Sequence, residues 1–182
     1  MLARFIFKKM VPGDIDKLNR SGAKATSGGG AMDFRFNPWV TYEPIVSLMF
    51  PDREVANTGN TKYVGQLAGG EGTVEFWAPT AQRPNEGRLA RVYSIPTLHP
   101  DKIPTGEGTV LMFLGQRVDG FLHATWVSET ALSEGNWHKR VQGFLLEVLQ
   151  KTSGDDNAHG FMDIQRGFTF SRPETTYATV SS

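Results

Sequence analysis

Residues 80–92 place side chains that can read nucleic-acid bases between two predicted strands. Arginine can pair with guanine, asparagine or glutamine with adenine, and glutamate can accept a hydrogen bond from the cytosine amino group. A two-stranded β-ribbon is narrow enough to enter the major groove. The segment therefore predicts a base-reading hairpin; the alternative is a polar hairpin tip whose charges are only solvated. The residues predicted to read bases are Gln82, Arg83, Asn85, Glu86 and Arg91.

A glycine-rich stretch at 21–30 has the composition of a segment that approaches a sugar–phosphate backbone. Its small polar side chains stand on a permissive backbone without a large apolar residue. It is not a nucleotide-binding loop, because Lys24 precedes the glycines instead of following them. The alternative is a flexible surface loop. The residues predicted to contact the DNA backbone are Lys24, Thr26, Ser27, Arg35 and Arg88.

The sequence lacks the residue patterns that catalysis or metal binding would require. Many magnesium-dependent nucleases use a carboxylate followed two positions later by lysine, and the chain has no Asp-x-Lys or Glu-x-Lys triplet. It has no Gly-x-Ser-x-Gly nucleophile elbow, and its four histidines do not share metal-ligand spacing. We therefore expect no enzymatic activity, no cofactor and no metal site.

The four tryptophans are candidates either for the core or for stacking on single-stranded bases. All four stand in apolar-patterned surroundings, which favours core packing. They are Trp39, Trp77, Trp126 and Trp137.

Composition indicates a soluble protein of the cytoplasm. The absence of cysteine fits a reducing compartment, and no stretch approaches the roughly 20 apolar residues of a membrane helix. The 19 basic and 19 acidic residues cancel, but residues 1–30 carry six basic and two acidic side chains. This basic front is compatible with a local phosphate-binding face, and ordinary surface charge is the alternative.

Apolar patterning predicts a mainly β (α+β) domain over residues 1–172, followed by a flexible tail at 173–182. A helix is predicted at 42–50, a second from about Trp137 to 150, and a single helical turn at 16–19. Short strands, modest helices and 20 glycines favour a barrel or pseudobarrel with helices at its ends. The predicted strands are 5–7, 33–36, 61–67, 73–77, 89–95, 109–116, 121–127 and 161–170.

Three stretches, read in order, resemble one known family. Residues 17–36 contain a polar turn, a Thr/Ser-Gly-Gly run and a strand, and residues 72–95 contain two strands around a Gln-Arg-Pro-Asn-Glu-Gly-Arg tip. Residues 108–148 contain an apolar strand, an Asp-Gly turn, a Trp-Val-Ser strand and a helix. The chain resembles the effector-binding N-terminal domain of EcoRII-type restriction endonucleases, and Asn85-Glu86 with Arg88 is the most specific part.

The resemblance implies a seven- or eight-stranded B3-like pseudobarrel with two or three short helices. In that family two arms grip the major groove of double-stranded DNA, which implies that 24–30 lies on one arm and 82–91 on the other. The second arm here carries fewer basic residues than the family pattern. The family domain is attached to a nuclease, so a nuclease subunit or domain is a further expected partner in restriction-modification or phage defence.

Two alternatives to a sequence- or modification-specific DNA-recognition module stay open. One is a β-barrel that binds a protein or a small molecule, as an interaction module in a defence or counter-defence system. The other is an enzyme of unrecognised type. Salt-dependent binding to duplex DNA distinguishes the DNA-recognition module from the barrel that binds a protein or a small molecule, because counterion release accompanies phosphate contacts.

Overall fold

Two antiparallel β-sheets form the framework of the protein. The computed structural model describes residues 1–23 and 33–176, and within them the chain forms ten strands in two five-stranded sheets together with four α-helices. The predicted mainly β class is confirmed. The strands and helices are more numerous than expected, and over the described residues the sheets do not close into a barrel.

The strands and helices alternate irregularly along the chain. In chain order they are β1 (Leu2–Lys9), α1 (Pro12–Ala23), β2 (Phe34–Phe36), α2 (Trp39–Met49), β3 (Asp52–Val55), β4 (Thr61–Gln66), β5 (Thr73–Trp77), β6 (Gly87–Leu89), β7 (Val110–Arg117), β8 (Leu122–Ser128), α3 (Glu129–Glu134), α4 (Lys139–Gln150), β9 (His159–Asp163) and β10 (Phe168–Arg172). Sheet I has the order β10-β9-β1-β7-β8, and sheet II has the order β2-β6-β5-β4-β3.

Sheet I is covered on both faces, which explains the continuous apolar runs of β1 and β7. One face, including Ile6 and Met112, packs into a core shared with sheet II. The other face packs against α4, where Phe5 and Phe7 meet the ring of Phe144 edge-on. Burial on both faces removes the alternation that marks a half-exposed strand.

Sheet II exposes one face, because apolar and polar residues alternate along its strands. In β5 the side chains of Val74 and Phe76 are buried, whereas those of Glu75 and Trp77 are half-buried. The short strand β2 repeats this pattern, with Arg35 exposed between two buried phenylalanines. The sheet therefore presents a polar outer face.

The structure corrects the bounds of several predicted elements. The strand predicted at 89–95 ends at Leu89, because Arg91 adopts a left-handed conformation with φ of 48° and a 3-10 turn follows at Val92–Ser94. The strand predicted at 161–170 is a hairpin, β9 and β10, whose turn contains Gly167 at φ of 77°. The predicted turn at 16–19 is the longer helix α1.

The chain continues past β10 along α4. Thr175 is buried, and Thr176 donates hydrogen bonds from its backbone and its hydroxyl to Glu147. The remaining residues of the predicted tail, 177–182, lie outside the described residues. No helix in the described ranges is long and apolar enough to cross a membrane.

Candidate nucleic-acid interface

A row of cross-strand partners runs over the outer face of sheet II. Arg35 pairs with Arg88, Arg88 with Trp77, Trp77 with Lys62, and Lys62 with Glu54, so all five side chains share one face. Adjacent strands lie about 4.8 Å apart, which brings the row together although its members are far apart in sequence. We call this surface, with the residues that form ion pairs on it, the charged face. Its members are Asp33, Arg35, Glu54, Lys62, Glu75, Trp77, Arg83, Glu86, Arg88 and Arg91.

Glu86 serves two arginines on the charged face. Its Oε1 atom lies 3.3 Å from Arg35 Nε and 3.6 Å from Arg83 Nη1. That oxygen is buried, yet it receives no well-directed hydrogen bond from the described residues. The contacts are therefore charge attractions without strong directionality, and both arginine side chains stay partly exposed.

A second carboxylate, Asp33, organises the edge beside β6. Its Oδ2 atom lies 3.1 Å from Arg88 Nη1, and its Oδ1 atom accepts a hydrogen bond from the backbone N–H of Arg91 at 3.1 Å. The Arg91 side chain turns to Glu75, with Nη2 3.1 Å from Oε2. Arg88 and Arg91 thus each have an acidic partner.

Lys62 completes the face between two glutamates. Its Nζ atom lies 3.1 Å from both Glu54 and Glu75, and hydrogen bonds to Glu75 and Glu54 raise its pKa. Partial burial would raise the pKa of Glu75, but the hydrogen bond from Lys62 and the charge of Arg91 bring it below its usual value. Both groups are therefore charged at neutral pH.

The 80–86 segment is fixed to α2 through its asparagine. The backbone N–H of Trp39 donates to both the backbone oxygen and the side-chain Oδ1 of Asn85, at 3.1 and 3.2 Å. Gly87 comes two residues after Asn85. A Cβ at this position would lie only 2.6 Å from the Trp39 ring and 2.7 Å from Phe76, so a larger residue would displace the segment. Asn85 thus acts first as an anchor.

A polar cleft of about 380 Å³ opens beside this segment. Gln82 lines it, is exposed, and makes no side-chain hydrogen bond to any described residue. The cleft can therefore present a free amide and a partly exposed guanidinium to a ligand. Its lining residues are Asn60, Thr80, Ala81, Gln82, Arg83 and Arg88.

The structure brings together the described residues that the sequence selected. Arg35, predicted separately, joins the 80–91 segment through Glu86 and through its register with Arg88. Lys24, Thr26 and Ser27 lie outside the described residues. Asp33, which follows that stretch, contacts Arg88.

Sequence reasoning missed five members of the charged face: Asp33, Glu54, Lys62, Glu75 and Trp77. The prediction that Trp77 packs in the core is wrong, because its neighbour Phe76 points inward and Trp77 therefore points outward. Lys62 Nζ lies 6.0 Å from the centroid of the Trp77 ring. The alternation of polar and apolar residues along 73–77 could have indicated that Trp77 points outward. Asp33, Glu54, Lys62 and Glu75 could be found only from strand register.

The charged face can exchange its internal partners for an external anion. Five cationic side chains and four carboxylates almost balance. Ion pairs near the surface contribute only about 0–1 kcal/mol each, so a phosphate can replace a carboxylate at small cost.

Within the described residues no group of three His, Asp or Glu side chains could hold a metal ion.

Comparison with known proteins adds no assignment to this geometry. No protein-family model, curated protein or solved structure matches the chain.

Proposed function

We propose that this protein is a double-stranded DNA-recognition module, sequence- or modification-specific, of the restriction or phage-defence type. One observation supports it most: residues selected from separate parts of the sequence as DNA contacts converge on one exposed sheet face. Arg35 stands beside Arg88 in the register of β2 and β6, and Arg83 shares Glu86 with Arg35. Such clustering is what a phosphate-tracking surface needs.

The residues divide into two roles in this proposal. Arg35 and Arg88 stand side by side on the flat part of the face and contact backbone phosphates. Gln82 and Arg83 lie at the exposed hairpin, where side chains can reach base edges. Lys24, Thr26 and Ser27 contribute further backbone contacts. The module has no catalytic activity of its own and works in the cytoplasm with a nuclease subunit or domain.

The acidic partners determine the binding mode. Each arginine must leave a carboxylate to contact a phosphate, so nonspecific binding is weak. The affinity for a specific site is higher where Glu86 accepts a hydrogen bond from a cytosine amino group, because this bond replaces the contacts that the carboxylate loses with the arginines. Near-balanced charge thus favours recognition of sequence over general attraction to DNA.

A fluorescence-polarisation titration of duplex DNA at several salt concentrations tests the proposal. We expect the logarithm of the affinity to fall linearly with the logarithm of the salt concentration, with a slope of about −0.9 for each phosphate contacted. No binding at low salt to random-sequence pools of both unmodified and methylated duplexes would refute it.

The cleft and the near-neutral charge favour a second candidate, a module that binds a protein or a polar small molecule. The cleft lining is polar, with two amides, a hydroxyl and two guanidinium groups, and it carries no carboxylate. In that case duplex DNA would not bind, and substitution of Gln82 would alter binding of the partner without any dependence on DNA.

A further inference from the structure

Three nitrogen-bearing side chains form the last cross-strand row of sheet I. Lys8 of β1 pairs with His159 of β9, which pairs with Arg172 of β10, so the three side chains share one face. It is the face turned toward sheet II, because Ile6 and Phe161 next to them belong to the shared core. The row lies where that core ends.

Lys8 is buried with little negative charge around it. Its side chain is only 7% exposed, and its Nζ atom donates a hydrogen bond of 2.6 Å to the neutral amide oxygen of Asn157. Asp14 lies 4.0 Å away, at the limit of an ion pair. A buried ammonium usually has a close carboxylate partner, because an uncompensated charge is costly to bury.

Arg172 and His159 add positive charge and a directed donor. Arg172 Nη1 donates to Asn37 Oδ1 at 3.3 Å, and no carboxylate of the described residues forms an ion pair with it. The hydroxyl of Tyr42 lies 2.5 Å from His159 Nδ1. Burial raises the pKa of Tyr42, so the phenol is neutral and shares a hydrogen bond with Nδ1. In the tautomer that accepts this hydrogen bond at Nδ1, the neutral imidazole carries its proton on Nε2.

Nearby positive charges act on two members of the row, His159 and Lys8. Burial and then the charges of Lys8 and Arg172 lower the pKa of His159 to about 4. Burial also lowers the pKa of Lys8, and Arg35 lowers it further while Asp14 opposes this. The charged groups that act on Lys8 are therefore one carboxylate, Asp14, and one guanidinium, Arg35.

We propose that Lys8, His159 and Arg172 form a binding site for a phosphate group. The ammonium and the guanidinium supply charge, and the imidazole Nε2–H supplies a directed hydrogen bond to a phosphate oxygen. The site lies on sheet I, is formed by residues outside the charged face, and does not depend on the proposed function. The phosphate group comes either from a small phosphorylated molecule or from a DNA backbone that reaches this corner.

Thermal unfolding of the full chain tests the site with inorganic phosphate as the probe. At neutral pH, millimolar phosphate should raise the melting temperature by about 2–4 °C over sodium chloride of equal ionic strength. Arg172→Gln should abolish this difference, because it removes an exposed arginine of the row. Arg166→Gln, an exposed arginine in the β9–β10 turn, is the matched control and should keep it.

An NMR titration of the imidazole resonances gives a second readout, which does not depend on the stability of the variants. Phosphate should raise the pKa of His159 in the wild type, because bound negative charge favours the imidazolium. The same titration of Arg172→Gln should show little phosphate dependence. A wild-type protein whose melting temperature and His159 titration are the same in phosphate and in chloride would overturn the proposal.

Duplex DNA distinguishes the two sources of phosphate. If Arg172→Gln weakens duplex binding and inorganic phosphate competes with the duplex, the site takes a DNA phosphate. If duplex binding is unchanged while the phosphate response is lost, the site takes a small ligand. Substitutions on the charged face other than Arg35, whose charge acts on Lys8, should leave the phosphate response intact, so failure of the DNA proposal and failure of this site are separable.

Discussion

Arg35 and Arg88 are direct cross-strand partners, two arginines side by side on an exposed sheet face. Like charges in this position are destabilising, and each arginine has its own carboxylate: Glu86 for Arg35 and Asp33 for Arg88. The acidic residues therefore reduce a repulsion that the paired arginines create.

Release of the arginines should strengthen nonspecific DNA binding. Glu86→Gln removes the negative charge that Arg35 and Arg83 share, and it also removes repulsion of nearby phosphates. We expect about fivefold tighter binding to random duplexes, the factor that corresponds to about 1 kcal/mol. Fluorescence polarisation at fixed salt measures it. Glu134→Gln, at an exposed acid on α3, is the control, and equal affinities of the two variants would contradict the prediction.

Loss of the paired arginines should reduce the salt dependence of binding. Arg35→Gln and Arg88→Gln should each lower the slope of log affinity against log salt by about 0.9, because each removes one phosphate contact. Lys139→Gln removes an exposed charge at the start of α4 and should leave the slope unchanged. If all three variants shift the slope equally, the effect is one of net charge and not of this face.

Elements with a buried apolar face could be predicted from the sequence. The strand predicted at 73–77 has the bounds of β5, and the stripe predicted at 137–150 is α4. Two elements without that signal were missed. All residues of β3 are exposed at the sheet edge, and α3 is six residues long with one buried side chain, Leu132.

The candidate site could be predicted only in part, because its partners are set by register. The types and spacing of residues 82–91 indicated a hairpin with arginines, but nothing local indicates that Arg35 pairs with Arg88 or that Glu86 binds Arg35. The row of Lys8, His159 and Arg172 joins three strands that are far apart in sequence. Such contacts follow from tertiary pairing, which single-residue patterns do not encode.

Stability should fall between pH 6.5 and pH 4 because of His159. Its pKa is about 4 in the folded protein and 6.5 when unperturbed, so the unfolded chain binds a proton in this window and the folded chain does not. The stabilisation is present above pH 6.5 and is lost as the pH falls, by up to about 1.4 kcal/mol per pH unit. Urea denaturation of wild type and His159→Gln at pH 7, 6 and 5 measures the difference.

The matched control for this pH dependence is His123→Gln, at an exposed histidine of β8. It should follow the wild-type curve, whereas the curve of His159→Gln should be flatter. Parallel curves for all three proteins would mean that His159 does not remain neutral in the folded state.

The junction of β8 and α3 should depend on one hydroxyl. Ser128 Oγ accepts a hydrogen bond from the Ala131 N–H at 3.0 Å and donates one to Glu107 at 2.7 Å. Because Ser128 is buried at the N-cap, Ser128→Ala should lower the free energy of unfolding by about 1–2 kcal/mol. Ser133→Ala, at an exposed site on the same helix, should cost less. Chemical denaturation in which both variants lose the same stability would rule out the capping role.

Gln82 and Asn85 should separate recognition from anchoring, although the sequence assigned both to base reading. Asn85 already accepts a hydrogen bond from Trp39, whereas Gln82 has no side-chain partner among the described residues and lines the cleft. Gln82→Ala should therefore leave stability unchanged and relax the preferred DNA sequence, with a loss of about 1–3 kcal/mol on the best site. Asn85→Ala should instead lower stability and weaken binding to all duplexes, because the whole segment loses its anchor to α2. Selection from a random duplex library, together with denaturation of each variant, tests both outcomes. Motifs from Gln82→Ala that match those of the wild type would remove Gln82 from the recognition surface.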